Sequence, residues 1–224
     1  MPAKLVAVSQ FLPSAMAKAS ALMPTAEDLI VYCARVSNPA NQENFDSGAR
    51  LLRYCISHGH WSVFEMANMC VEVVTSRAVG RQIIRHRSFS FQEFSQRYAK
   101  ADTTLDPIEL RLQGKKRQGG EDIAPIPEDL IKKVQEHLQG GMVLYNQLLK
   151  EGVAFESARL LLPELTQTTM YINGTVRSWI HYLQQRCTPE TQKEHRLLAN
   201  EIRDIFMAEF PIVSAAIGWG GDSD

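Results

Sequence analysis

From Glu128 onward, Ile131, Val134, Leu138, Met142, Tyr145 and Leu149 recur every three or four residues, the period of a long helix with one apolar stripe. A stripe of that length has to be covered by a second layer of structure. The pair Gly140-Gly141 predicts a kink within it. Four more segments read as helices. Thr25 to Val36 offers Thr25 as a cap with acids in its first turn. Ser47 to Ser57 repeats Leu51, Leu52, Cys55 and Ile56 and stops at Gly59. Ser76 to about Arg87 follows a β-branched run, and Phe155 to Leu162 is a short helix closed by Pro163. Helices over about 175–187 and 190–209 complete the set.

Strand signals are fewer. Lys4 to Gln10 alternates weakly as an edge strand would, Met66 to Thr75 is β-branched between charges, and Thr168 to Asn173 resembles a short strand. Residues 102–127 hold Pro107, Pro125, Pro127, Gly114, Gly119, Gly120 and the run Lys115-Lys116-Arg117, which together predict a long, mobile surface loop. No repeat and no sharp change of composition divides the chain. The expected architecture is therefore one α+β domain over 1–224, helix-rich, with a small, mainly antiparallel sheet.

Charge narrows the function. Lys+Arg 24 against Asp+Glu 25 leaves a net charge of −1, which argues against general attraction to nucleic acid or to anionic membrane. No signal sequence or stretch of about 18 apolar residues is present, so a cytoplasmic protein is expected. Cys33, Cys55, Cys70 and Cys187 are too widely spaced for a C-x-x-C site, and nothing points to a metal. Yet Arg77, Arg81, Arg85, Arg87 and Arg97 stand against the single acid Glu93 between residues 77 and 97, a local +4. On a helical wheel Arg77, Arg81, Arg85 and Gln82 share an arc of about 140°, with Val79, Gly80, Ile83 and Ile84 opposite. A solvated face would mix in lysine, whereas arginine alone suits bidentate contact with phosphate.

The string Arg85-His86-Arg87-Ser88-Phe89-Ser90-Phe91-Gln92-Glu93-Phe94-Ser95-Gln96-Arg97-Tyr98 resembles the RHR-x7-S signature of the flavin-dependent thymidylate synthases. His58-Gly59-His60-Trp61-Ser62-Val63-Phe64-Glu65 is similar to that family's H-G-H-x-[ST]-x-F-E stretch, and Arg159-Leu160-Leu161-Leu162-Pro163 to its A-R-x-x-L-P segment. Arg177 and Arg186 match the arginines of the helix that follows. Thr175 and His181 depart from the asparagines common at their positions.

The resemblance implies conversion of dUMP to dTMP, with 5,10-methylenetetrahydrofolate as carbon donor and FAD, reduced by NADPH, as hydride source. It implies a homotetramer whose active sites are shared between subunits. The FAD contacts it implies are His60, Ser62, Glu65, Arg85, His86, Arg87, Glu93, Thr175, Arg177 and His181. For dUMP they are Gln82, Ile83, Ile84, Arg85, Glu93, Phe94, Ser95, Gln96, Arg97, Arg159 and Arg186, with Ser95, Arg97 and Arg159 on the phosphate and Arg186 as the catalytic group at the uracil edge. The chain has no G-x-G-x-x-G loop, so side chains would have to hold the dinucleotide. Ser95 lacks a nearby base and reads as a phosphate binder, and the four cysteines read as buried. Arg186 also reads as a cation closing a helix. The competing function is a non-catalytic nucleotide- or RNA-binding protein, or an assembly protein using the 175–209 helices.

Overall fold

The computed structural model describes residues 2–15, 24–107, 109–114, 120–121 and 125–219. Its elements, in chain order, are β1 (Ala3–Val8), α1 (Ala26–Ala34), α2 (Gly48–Ser57), β2 (Asn68–Ser76), α3 (Arg77–Ile83), β3 (Ser90–Glu93), β4 (Leu112–Gln113), β5 (Gly120–Glu121), α4 (Glu128–Lys150), α5 (Phe155–Ala158), β6 (Gln167–Thr175), α6 (Val176–Arg186), α7 (Lys193–Glu209) and α8 (Pro211–Ala216). The main sheet runs β1-β2-β6-β3, antiparallel throughout, and β4 pairs with β5 separately. The class is α+β: helix-rich with a small antiparallel sheet.

The core follows from the alternation of the two central strands. Met69, Val71 and Val73 of β2 and Met170 and Ile172 of β6 point to one face and are buried. Against that face lie Trp179, Ile180 and Leu183 of α6, and behind them Leu198, Ala199, Ile202 and Phe206 of α7. The Trp179 indole N–H donates to the Met69 carbonyl at 2.9 Å, which fixes α6 on the sheet. Burying a side chain the size of Phe206 contributes about 1.5–3 kcal/mol, so this face is the main source of stability.

Two strand-to-helix junctions position everything that follows. Asn68 pairs with Thr175 and Ser76 with Gln167, so α3 and α6 leave the β2–β6 ladder from opposite ends. Both start on a hydroxyl cap: Ser76 Oγ accepts the Val79 N–H, and Thr175 Oγ1 accepts the Ser178 N–H. A smaller core joins Tyr145 of α4, Ala158 of α5 and Ala101, where the Tyr145 hydroxyl oxygen accepts the Ala101 N–H at 2.9 Å.

Most sequence expectations appear with shifted ends, and four change in kind. The helix expected to reach Arg87 stops at Ile83, so Arg85 is not on the helical face assigned to it. The chain has to turn there, because Phe89 packs edge-on against Trp179 at 4.6 Å and Ser90 begins β3 opposite Asn173. Gly174 on β6 permits this: a Cβ there would run into the Phe89 ring. β3 itself was not anticipated, being a strand of four residues with little alternation to read. α4 continues unbroken through Gly140-Gly141, and Gly141 serves instead to let the Leu161 carbonyl pass 3.1 Å from where a Cβ would stand. Of the expected loop at 102–127, residues 108, 115–119 and 122–124 lie outside the described residues, while β4 and β5 form a two-residue ladder.

Candidate active site

At the N-terminal end of α6 the first turn presents Arg177 to solvent, facing the short turn Trp61–Glu65. That turn is anchored by Phe64, which is fully buried. Arg177 Nη1 lies 2.5 Å from Glu65 Oε1, both side chains about half exposed. Around the pair opens a cavity of about 570 Å³ lined by Trp61, Glu65, Ser88, Arg177, Ser178, Ile180, His181 and Gln184. Three residues expected at the cofactor therefore converge here: Glu65, Arg177 and His181. Ser62 sits exposed on the same turn, and His60, just before it, presents its ring edge-on to Tyr54 at 5.8 Å. Thr175 is placed differently, with its hydroxyl oxygen engaged as the α6 cap.

At the other end of the same helix Arg186 meets the RHR motif. Its Nε–H donates to His86 Nε2 at 2.8 Å. The His86 ring is buried and stands edge-on to Tyr182 at 4.9 Å. Beyond it, the Tyr182 hydroxyl lies 2.9 Å from His195 Nε2, and His195 Nδ1 lies 3.1 Å from Gln82 Oε1. The Gln82 amide in turn donates to Gln192 Oε1 at 2.6 Å. Burial first, then the Arg186 charge, then His181, lowers the His86 pKa to about 4. Burial, Arg186 and His86 lower that of His195 to about 3. Both rings are therefore neutral near pH 7. Burial pushes the Tyr182 hydroxyl well above the usual tyrosine range, although Arg186 opposes it. Among the described residues no carboxylate pairs with Arg186, so its two terminal NH2 groups keep their charge for something else.

The remaining motif residues spread over two more elements. Arg85 and Arg87 are exposed and make no ion pair among the described residues. Glu93 faces inward along the sheet, pairing with Arg77 at 3.2 Å and accepting the Thr168 hydroxyl at 2.9 Å. Ile83 is a core residue and Ile84 is exposed. Phe94 is exposed, Ser95 Oγ accepts the Arg97 N–H at 3.4 Å, and Gln96 is buried with its Nε2 unpartnered. Arg97 lies 3.7 Å from Glu156 and over the Tyr98 ring, which brings it to the segment carrying Arg159, half-buried just after α5. Of the residues expected at dUMP, Arg97 thus lies beside α5 and the segment carrying Arg159, whereas Gln82 and Arg186 lie where α3, α6 and α7 meet.

Three residues of the polar chain joining these helices carry no motif in the sequence: Tyr182, Gln192 and His195. A signal existed for His195, which occupies the apolar stripe of α7 with Leu198, Ala199, Ile202 and Phe206. A polar residue in that register costs stability unless both ring nitrogens are partnered, as they are.

Residues 20–212 match the family described as Thy1, thymidylate synthase complementing protein. A probable flavin-dependent thymidylate synthase of Paramecium bursaria Chlorella virus 1 is 49% identical over 198 residues, covering 87% of this chain and 92% of the relative. The flavin-dependent thymidylate synthase of Synechocystis sp. is 49% identical over 199 residues, covering 86% and 90%. The crystal structure of the UMP/dUMP methylase PolB from Streptomyces cacaoi bound with 5-Br dUMP shares the fold, with a TM-score of 0.78, 24% identity and coverage of 96% and 93%. The chain belongs to the thymidylate synthase complementing family, whose curated members named above are flavin-dependent thymidylate synthases.

Proposed function

We propose that this protein is an FAD-dependent thymidylate synthase, which methylates dUMP reductively to dTMP with 5,10-methylenetetrahydrofolate as carbon donor and NADPH as reductant. The observation that carries the reading is the family match over residues 20–212, within which Arg186 and the RHR motif meet at one hydrogen bond. Bound FAD would supply the hydride. The cavity at the head of α6 fits such a group chemically: Trp61 offers an apolar face, Ser88, Ser178 and Gln184 offer polar edges, and Arg177 can exchange its exposed carboxylate partner for a phosphate. In this reading His60, Ser62, Glu65, Arg85, Arg87, Arg177 and His181 hold FAD by their side chains. His86, Glu93 and Thr175, each with one polar atom already engaged within the fold, support that site from behind.

On the nucleotide side, Ser95, Arg97 and Arg159 take the phosphate, with Gln82, Arg85 and the 93–97 backbone along the sugar and base. Arg97 gives up only an exposed ion pair to do so, which costs less than about 1 kcal/mol. Arg186 then lies at the uracil. A guanidinium about 4 Å from developing negative charge, at an effective dielectric of about 20, stabilises it by roughly 4 kcal/mol. That suffices to favour ionisation at N3 and so to enrich C5 for attack on the one-carbon unit. The neutral His86 holds the Arg186 Nε without adding a competing charge.

The quaternary structure in this reading is a homotetramer. In its support, Leu130, Val143 and Leu144 of α4 are 47%, 57% and 45% exposed. The phosphate and base groups also sit on different elements of one chain, as sites completed by a neighbour would. The four thiols are free, in keeping with a reducing cytoplasm, and no described helix is long and apolar enough to cross a membrane. Purified protein, denatured, should release FAD near one per chain, and with dUMP, NADPH and the folate it should form dTMP. Protein that neither retains nor takes up FAD and forms no dTMP would overturn the reading.

A further inference from the structure

We infer that His195 is a positioning residue that fixes the orientation of the Gln82 side-chain amide for nucleotide binding; the inference rests on the reading of Gln82 as a dUMP contact. His195 lies at 0% exposure between Tyr182 and Gln82, and its neutral ring carries one N–H. Two arrangements are conceivable. In the first, Tyr182 donates its O–H to His195 Nε2, His195 Nδ1–H donates to Gln82 Oε1, and the Gln82 amide donates to Gln192. Every buried donor then has an acceptor.

In the second, the Gln82 amide is flipped and donates to Nδ1, and His195 Nε2–H points at the Tyr182 oxygen. The Tyr182 hydroxyl proton then has no acceptor among the described residues, in a site sealed by Trp179, Phe89 and His86. Leaving such a donor unmet is disfavoured. The first arrangement wins, and it leaves Gln82 with its oxygen turned to His195 and with one N–H and one lone pair still free. Without His195 the amide of Gln82 would be held at its nitrogen alone, by the exposed Gln192, whose own amide also bonds the Glu194 carboxylate. The Arg186 charge acts on the same histidine, so the amide and the guanidinium flank one buried pair of rings.

The two nitrogens of His195 can be separated by substitution. In His195→Asn the side-chain N–H stands where Nδ1–H stood and can still donate to Gln82; in His195→Gln the polar group reaches Tyr182 instead. dUMP binding is measured by titration of the FAD-loaded full-length protein, alongside Gln82→Ala, His195→Leu and the thermal midpoint of each variant. His195→Gln and His195→Leu should weaken dUMP about tenfold, approaching Gln82→Ala, and His195→Asn should restore most of the affinity. At saturating dUMP all three should retain kcat within a few-fold, because the loss is in binding. If Gln82→Ala weakens dUMP and His195→Gln and His195→Leu do not, the positioning role is wrong. If Gln82→Ala binds dUMP as the parent does, the reading of Gln82 itself fails. Losses that follow the thermal midpoint in every His195 variant, Asn included, would reduce His195 to a core residue and also overturn the inference.

Discussion

The two ends of α6 carry arginines in opposite electrostatic settings. Arg177, in the first turn, is half exposed and neutralised by Glu65. Arg186, the last residue, is bonded to a neutral histidine and, among the described residues, pairs with no carboxylate. An exposed ion pair exchanges partners at little cost, so Arg177 suits a ligand group that comes and goes or competes with water. A cation held against a neutral ring keeps more of its field, because no ion-paired carboxylate among the described residues offsets it. Helix polarity accentuates the contrast: the C-terminal end favours the Arg186 charge, while the N-terminal end favours anions near Arg177. One helix thus offers a recognition cation at one end and, in the proposed function, a catalytic cation at the other.

The largest effect should come from breaking the second setting. Arg186→Ala should slow methylation of saturating dUMP, measured in single turnover from prereduced flavin, about a hundredfold, equivalent to about 3 kcal/mol. NADPH oxidation should fall far less, since it precedes the step at the uracil. Methylation at the parent rate would leave Arg186 as a helix-closing cation alone.

The neutral histidines make a second, smaller prediction. Their folded pKa values, about 4 for His86 and about 3 for His195, lie below the ordinary histidine value, so between these limits the unfolded chain binds more protons than the folded one. Stability therefore rises with pH across that window and is lost as pH falls from about 6.5. The combined loss by pH 4 should be on the order of 2 kcal/mol or more, allowing for partial solvation of His86. Thermal melts at pH 7 and pH 5 should show a fall that is reduced in His86→Asn, and an equal fall in that variant would mean that other groups carry it.

How much of this contrast could be read beforehand depends on how local its causes are. The Thr25 cap was legible because the cap and Asp28 are three residues apart and form a capping box. Gly59 was legible because its φ of +71° is set by the turn itself. The family resemblance pointed to Glu65, Arg177 and, at a position where asparagine is usual, His181, and these three do line one cavity. The placement of Arg85 was not legible, since the helix stops where a distant strand, β6, recruits β3. Nor was the His195 chain, whose members come from α3, α6 and α7 and whose contacts, such as Gln82 with His195, cross more than a hundred residues of sequence. A helical period shows which positions are buried, and only the tertiary structure shows which buried polar groups meet.

A gentler test acts on the first setting. Arg177→Ala should weaken FAD about five- to tenfold, the scale of one charge-assisted contact at a half-exposed site. Folding should barely change, because the Glu65 partner is exposed and an exposed pair contributes less than about 1 kcal/mol. Equilibrium titration with FAD measures the first effect and a melt the second. Unchanged FAD affinity would remove Arg177 from the cofactor site and leave the cavity without its cation.

The smallest effect should come from the residue next to Arg186. Cys187 caps α6 one position beyond the proposed catalytic guanidinium, which invites a role as nucleophile. Its surroundings argue against one. Burial raises its thiol pKa from the ordinary cysteine value, and the Arg203 charge that opposes this is countered by Asp204. A thiol raised in that way is protonated at neutral pH, and the thiolate, not the thiol, attacks carbon. Cys33, Cys55 and Cys70 are raised by burial as well, so no neighbour offers a better nucleophile. Cys187→Ala removes one partly buried sulfur and should leave the rate of dTMP formation within about twofold, once a melt shows that the fold is intact. A folded Cys187→Ala protein that binds dUMP and FAD yet makes no dTMP would mean that the end of α6 attacks the uracil covalently, and the electrostatic role of Arg186 would become one of activating that thiol.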